Sequence, residues 1–375
     1  MRLHCARAPP ARAIPMTPPR WLNTGLPVRA RVSLEAKVDL VQRHTVELVT
    51  DDELRALLAR GGRPKAYVGF EPSGMMQIGQ GFVIAAKLRD LVEAGFDVTV
   101  LLADWHAYIN DKFGGDLERI QACGRYFEDC FRALGVPGSA RYVTATDLVS
   151  TPDYWMDVIH VSKAASVARI RRALTIMGRK EEDADLDASK LIYPAMQVTD
   201  IHRMDLDLVL GGLDQRHAHM LYRDLAPKLR WKMVVALHTP LVGGLQGGGR
   251  MDPVESKMSK SKPDTAILLP EAPAEVERKI EKAFCPAKEV EGNPILEIAR
   301  YILLPRGSLT VERDAKFGGD VAYGSFEDLA RAYAAGGLHP KDLKDAVARS
   351  LNEALAPVRG YFDAHPENLR ALVGG

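Results

Sequence analysis

The chain has 375 residues, 46% hydrophobic and 26% charged, with a formal net charge of +1. These are the proportions of an ordinary globular protein with room for two or three domains, and no apolar run approaches the ~18 residues needed to cross a membrane. The four cysteines (Cys5, Cys123, Cys130, Cys285) are scattered, without a CxxC pair or a finger-spaced His, which points to a reducing compartment with neither a disulfide framework nor a structural zinc.

Residues 1–32 are rich in Arg and Pro and carry no acidic residue. A disordered tail and an Arg-rich targeting peptide both fit. The prolines at 9, 10, 15, 18 and 19 suit a transit helix poorly, so a dispensable tail is expected, with Met16 as a second candidate start. Helical sequence begins near Ser33. Thr50 to Glu53 reads as a capping box opening a second helix over 54–60, stopped by Gly61 and Gly62. A short β-rich run, 66–70, is expected as the first strand, followed by a turn at Glu71-Pro72-Ser73-Gly74 and a helix from Ile78 to Ala94. Residues 97–103 are a near-continuous apolar strand of the kind buried on both faces of a parallel sheet. A helix over 116–134, a strand over 141–145, a mostly helical insertion over about 150–204, a strand over 206–212, a helix through Leu225 and a strand over 232–237 complete the pattern. The alternation predicts a doubly wound, Rossmann-like α/β domain over 33–265 with ligands at the carboxyl ends of its strands. Beyond it, residues 271–285, 291–303, 324–335 and 340–356 read as amphipathic helices, so an all-α domain is expected over 266–375.

Two stretches carry chemistry. Lys257-Met258-Ser259-Lys260-Ser261, in the loop 255–264, sets two lysines three apart, and it follows a run so rich in glycine (243–249) that a rigid backbone is not expected there. Such a loop suits a lid that closes on polyphosphate and neutralises charge as it develops. This spelling is the KMSKS signature of class I aminoacyl-tRNA synthetases. The second stretch is the strand-to-helix turn from Val68 to Gln80. Gly69, Gly74 and Gly79 allow close approach of a ligand to the backbone, and the helix N-terminus offers N–H groups to phosphate. The HIGH signature of the same enzymes occupies this position; here it reads Gln77-Ile78-Gly79-Gln80, with both histidines replaced. Glutamine donates hydrogen bonds but carries no titratable charge.

With Tyr67 to Gly74, Leu101 to Tyr108, Tyr193 to His202, Gly211 to Gln215 and the lysine loop in this order, the chain resembles tyrosyl-tRNA synthetases of the archaeal and eukaryotic branch from about residue 35 to its end. The resemblance implies that Tyr67 and Asp200 hold the substrate hydroxyl, and that Tyr193, Gln197 and Gln215, with Gly69 beside them, hold its α-amino group. Tyr193, Gln197 and Asp200 have helical spacing and share one helix face. Discrimination against phenylalanine needs such buried partners for the phenolic OH; the handling of tyrosine by this same family is the standard illustration. Asp214 resembles the family's ribose-binding acid, and Gly79, Met258, Ser259 and Ser261 join it as expected ATP contacts. Lys257 and Lys260 are the expected catalytic groups, assisted by Gln77 and Gln80. Asp104 and His106 end the second expected strand and either face substrate or are satisfied polar residues. His202, His217 and His219 suit structural or RNA-facing roles better than a metal site.

The helical domain resembles the family's anticodon-reading part at 316–320 and 338–343. Phe317 is expected to stack on a base, and His339 and Asp342 to bond its edge. Arg169, Arg171, Arg172 and Arg216 either contact the acceptor stem or form a solvated face. The implied activity is tyrosine activation by ATP with Mg²⁺, then transfer to tRNA(Tyr), by a cytoplasmic homodimer paired through the inserted helices. A tryptophanyl-tRNA synthetase and a tRNA-binding paralogue with weakened catalysis are the alternatives.

Overall fold

Local signals start and stop most of the elements. In the computed structural model, which describes residues 32–178, 187–247 and 263–374, Ser33 caps α1 (Leu34–Gln42), and Thr50 accepts from the Glu53 N–H to open α2 (Asp51–Ala59). Between them lies β1 (Glu47–Val49). Then come β2 (Lys65–Phe70), α3 (Ile78–Ala94), β3 (Asp97–Leu102), α4 (Asp104–Ile109) and α5 (Leu117–Ala133). Gly95 ends α3 at φ 97°, a conformation that suits glycine. β4 (Arg141–Thr144) leads into α6 (Ala145–Val149), which is opened by a complete Thr144–Asp147 capping box. The inserted helices are α7 (Pro152–Ala164), α8 (Val167–Ala173) and α9 (Ala188–Arg203); β5 (Leu208–Gly212), α10 (Arg216–Leu229) and β6 (Val235–Thr239) follow.

The six strands form one sheet in the order β1-β6-β5-β2-β3-β4, parallel except for β1, which pairs antiparallel with β6. Successive residues of the central strands point to opposite faces. Val68, Leu210 and Leu237 join the core beneath α1, α3 and α5, while Tyr67, Val209 and Ala236 join a second core under α7 to α10. Covering both faces explains the unbroken apolar runs of these strands. The strand order turns back between β2 and β5, and the crevice outside their carboxyl ends is where such sheets bind ligands.

The expected first strand is therefore the second. β1 escapes sequence reading because it has only three residues and one edge partner. The C-terminal helices are α11 (Pro273–Lys282), α12 (Pro294–Ile298), α13 (Phe326–Ala334), α14 (Pro340–Ala364) and α15 (Glu367–Val373). A hairpin of β7 (Leu309–Val311) and β8 (Val321–Tyr323) stands among them, a short element that the helical periodicity did not announce. α14 runs past the expected end at 356 and through Pro357, because Leu351, Leu355, Val358 and Phe362 continue its buried stripe. These helices pack back on the sheet layer: Tyr361 Oη donates to Asp129 Oδ1 at 3.0 Å and Asn368 Nδ2 to Asp129 Oδ2 at 2.7 Å.

Candidate active site

A cavity of about 1000 Å³ opens at the β2–β5 crevice. One end is walled by Tyr67 and Gly69 from β2, Tyr193, Gln197 and Asp200 from α9, and Gln215 after β5. Its other end is bordered by Gln77, Gly79 and Gln80 at the start of α3 and by Asp214. All ten residues come from separate stretches of sequence and meet in one place. Lys257, Met258, Ser259, Lys260 and Ser261 lie outside the described residues.

Asp200 anchors the closed end. Its side chain is 1% exposed, Oδ1 accepts from Tyr154 Oη at 2.7 Å, and Oδ2 stands 3.1 Å from His106 Nε2. That Oδ2, both ring nitrogens of His106 and Gln197 Oε1 are buried without a hydrogen bond of good geometry. An unpaired buried polar atom is expensive, so the two oxygens, Asp200 Oδ2 and Gln197 Oε1, ask for a ligand that donates. Burial first, and the Asp200 carboxylate second, push the Tyr67 and Tyr154 phenols well above their ordinary range; burial and then Glu71 do the same to Tyr193. All three stay neutral. Gln197 Nε2 donates to Gln215 Oε1 at 3.3 Å, and Gln215 Nε2 donates to the Ile176 carbonyl and to Asp214 Oδ2, each at 3.2 Å. This chain fixes the orientation of both amides.

The end beside α3 is built on close approach. Ile78 N–H donates to Ile267 O at 3.0 Å and Leu269 N–H to Met76 O at 2.9 Å, so the segment after the lysine loop pins the turn that precedes α3. A Cβ on Gly79 would lie 2.9 Å from Val242 Cβ, and one on Gly212 would lie 2.4 Å from Asp214 Oδ1. A side chain at Gly79 would collide with the rigid Cβ of Val242, and one at Gly212 would displace the Asp214 carboxylate.

Three residues were missed by sequence reasoning, two that line the cavity and one behind it that bonds Asp200. Tyr154 sits on α7 in a plain amphipathic pattern. Glu71 reads as a turn residue, yet it accepts from Asn110 Nδ2 at 3.0 Å and lines the cavity near Tyr193. Lys112, 3.6 Å from Glu71, lines it too; its place beyond a short helix gave no signal. Of the two residues after β3, His106 faces the cavity, whereas Asp104 is taken up by Thr146, Trp105 N–H and Gln121. His202 stacks on Trp231 at 3.9 Å, His217 meets Thr175, and His219 meets His238. Among the described residues no three metal-binding side chains converge.

The expected RNA contacts lie apart from the cavity. Phe317 is 64% exposed, with the Lys316 ammonium 4.9 Å from its ring centre. His339 caps α14 by accepting from Lys341 N–H, and Asp342 stands in the first turn. Arg313 donates to the carbonyls of Gly319 and Gly337 at 3.0 and 2.9 Å, so it ties the 316–320 segment to the residue just before the 338–343 segment. Arg171 and Arg172 are exposed. Arg169 and Arg216 are instead paired with Asp224 and Glu47, each at 2.9 Å, so the four arginines are not one free basic face.

Residues 59–356 match the model of the class I tRNA synthetases for tryptophan and tyrosine. The chain belongs to that family. It is 54% identical over 354 residues to the tyrosine–tRNA ligase of Aeropyrum pernix, covering 91% of this chain and 97% of that protein. A Sulfurisphaera tokodaii protein of the same name is 50% identical over 346 residues, 90% of this chain and 95% of that one. The family's solved structures superimpose closely. The tyrosyl-tRNA synthetase of Pyrococcus horikoshii complexed with L-tyrosine gives a TM-score of 0.85 at 40% identity, covering 92% of this chain and all of that one. The A. pernix tyrosyl enzyme gives 0.82 at 52% identity, over 91% and 98% of the two chains. The tryptophanyl-tRNA synthetase of A. pernix, at 21% identity and 0.67, shares the fold.

Proposed function

We propose that this chain is a ligase that activates L-tyrosine with ATP and transfers it to tRNA(Tyr). The observation that carries the reading is the set of orphaned acceptors at the closed end of the cavity: Asp200 Oδ2 and Gln197 Oε1, buried and unbonded. A phenolic OH answers the first and an α-ammonium the second, with Tyr193 and Gln215 alongside. Tryptophan brings an indole N–H but no hydroxyl, and the relatives at about half identity are tyrosine enzymes. The tryptophanyl alternative has no comparable support.

Activation needs no protein base, because the attacking carboxylate is already an anion. It displaces pyrophosphate from the α-phosphorus, and the terminal ribose of tRNA then takes the aminoacyl group. This chain supplies position and charge. Tyr67, Asp200, Gln197 and Gln215 orient tyrosine, Asp214 holds the ribose, and the N–H groups at the start of α3 with Gln77 and Gln80 face the phosphates. Lys257 and Lys260 would neutralise the developing charge. Mg²⁺ would arrive with ATP, held by phosphate oxygens and water. Phe317, His339 and Asp342 would read the anticodon from a C-terminal part beginning near 266, and Arg172 and Arg216 would approach the acceptor stem once Arg216 leaves Glu47.

The exposed apolar side chains of α7 (Met156 at 53%, Ile159 at 57%, with Trp155) and of α9 (Leu191, Ile192) form a surface that a second copy would cover, giving a homodimer. No described helix is long and apolar enough to cross a membrane, and the chemistry belongs to the cytoplasm. Charging of a tRNA(Tyr) transcript tests the reading: labelled tyrosine should appear at the terminal adenosine. Binding of the transcript without charging would leave the paralogue reading instead.

A further inference from the structure

The ion pairs among the described residues leave Asp200 with a single cationic partner. Among the described residues no lysine or arginine pairs with it; His106 does, with both side chains almost fully buried. We propose that His106 is a positioning residue for substrate choice, the buried group that faces Asp200 Oδ2, strengthens it as an acceptor for the substrate hydroxyl and thereby sets the preference for tyrosine over phenylalanine. The inference rests on the tyrosine reading above.

A carboxylate taken out of water needs a cation or several donors to remain charged. Tyr154 supplies one donor to Oδ1. Oδ2 faces the cavity and His106 Nε2, and its hydrogen-bonding capacity is unmet. The imidazole is held in place by an edge-to-face contact with Tyr193, at 4.8 Å between ring centres and 85° between planes, and by its place at the end of β3 on the first turn of α4. Burial alone would lower its pKa, but Asp200 first, then Glu71 and Asp104, outweigh burial and hold it above the ordinary imidazole value.

Charge on the acceptor decides how much the missing hydroxyl costs. A hydrogen bond to an ionised carboxylate is roughly twice as strong as a neutral one. Phenylalanine in the same pocket would leave the buried Oδ2 with only the poorly aligned His106 Nε2, and an underbonded charged oxygen costs more than an underbonded neutral carboxyl. Removing His106 should therefore weaken the hold on the hydroxyl while leaving the hold on the ring, the ammonium and ATP. A packing residue would instead weaken tyrosine and phenylalanine together.

The test uses the full chain. KM for tyrosine and for ATP are measured by pyrophosphate exchange, with L-phenylalanine as a competitive inhibitor of that exchange, for wild type, His106→Gln and His106→Ala, alongside thermal unfolding. Expected in His106→Ala is a rise of about 10-fold in tyrosine KM, with phenylalanine Ki unchanged or lower and ATP KM unchanged. His106→Gln keeps a donor near Nε2 but no charge, so it should lose part of the same preference; if the alanine variant does not fold, the glutamine variant carries the test alone. Equal weakening of tyrosine and phenylalanine, or no change in either, would overturn the proposal. Wild-type protein that does not exchange with tyrosine at all would overturn the tyrosine reading first, and is distinguished by needing no variant.

Discussion

Tyr154 Oη donates a 2.7 Å hydrogen bond to Asp200 Oδ1, joining α7 to α9 inside the protein. The same bond fixes the carboxylate that the substrate hydroxyl would meet, so the packing of two inserted helices sets the geometry of the pocket floor. Tyr154→Phe removes the donor and keeps the ring. Tyrosine KM should rise by about 10-fold, as expected for one lost bond to a charged acceptor, with ATP KM unchanged. Steady-state exchange kinetics with each substrate varied in turn check this; a change in ATP KM alone would assign Tyr154 a different job.

At the other end of the cavity, Gly79 and Val242 leave no room for a methyl group. Gly79→Ala should push the 240–247 segment away from the start of α3 and raise ATP KM by an order of magnitude while sparing tyrosine KM. Adding Val242→Gly should restore much of the loss. Failure of the second change to help would mean that the alanine acts through the helix itself.

Lys87 is fully buried in α3 and donates to the carbonyls of Leu40 and Val41 at 2.8 Å and of Arg43 at 2.6 Å, and it stands 3.2 Å from Asp90 Oδ2. Burial first lowers its pKa to about 8, although Asp90 resists the shift. The ammonium thus ties the end of α1 to the sheet layer. Lys87→Met keeps the volume but strands three carbonyls and removes a cation from a buried carboxylate, so it should destabilise the fold by about 3 kcal/mol. The shift of the denaturant midpoint at constant slope measures it.

His219 of α10 and His238 of β6 meet at 3.0 Å between ring nitrogens, both buried. Burial, then the neighbouring His238, holds His219 well below its ordinary value, and burial lowers His238 despite Glu47 at 2.8 Å. Both rings therefore hold a proton less readily in the fold than in the unfolded chain, where an imidazole is half protonated near pH 6.5. As pH falls below about 6.5 the unfolded chain gains protons that the fold refuses, so this contribution is complete above that pH and is lost below it, at up to about 1.4 kcal/mol per pH unit per ring. His219→Asn should flatten the fall of unfolding free energy between pH 7 and 5 relative to wild type. Parallel slopes would contradict the assignment.

Much of this site was legible before any coordinates. Tyr193, Gln197 and Asp200 share a face because a helix has a fixed period, and the sheet's switch point brings Tyr67 and Gln215 to them. What could not be read depends on packing between distant segments. Tyr154 looks like any apolar-stripe residue until α7 is laid against α9. Glu47 sits in a three-residue strand, and its pairing with Arg216 across 169 positions takes that arginine out of an apparent basic face. Asp104 and His106 are two residues apart after one strand, and only side-chain direction separates the structural carboxylate from the imidazole in the pocket.

ATP–pyrophosphate exchange on the purified chain, with tyrosine, phenylalanine and tryptophan supplied in turn, tests the central claim most directly. Exchange with tyrosine alone is the expected result, and it would mean that Gln77 and Gln80 serve where the family's signature has histidine. Exchange driven by tryptophan, or none with any of the three while tRNA(Tyr) still binds, would contradict the account.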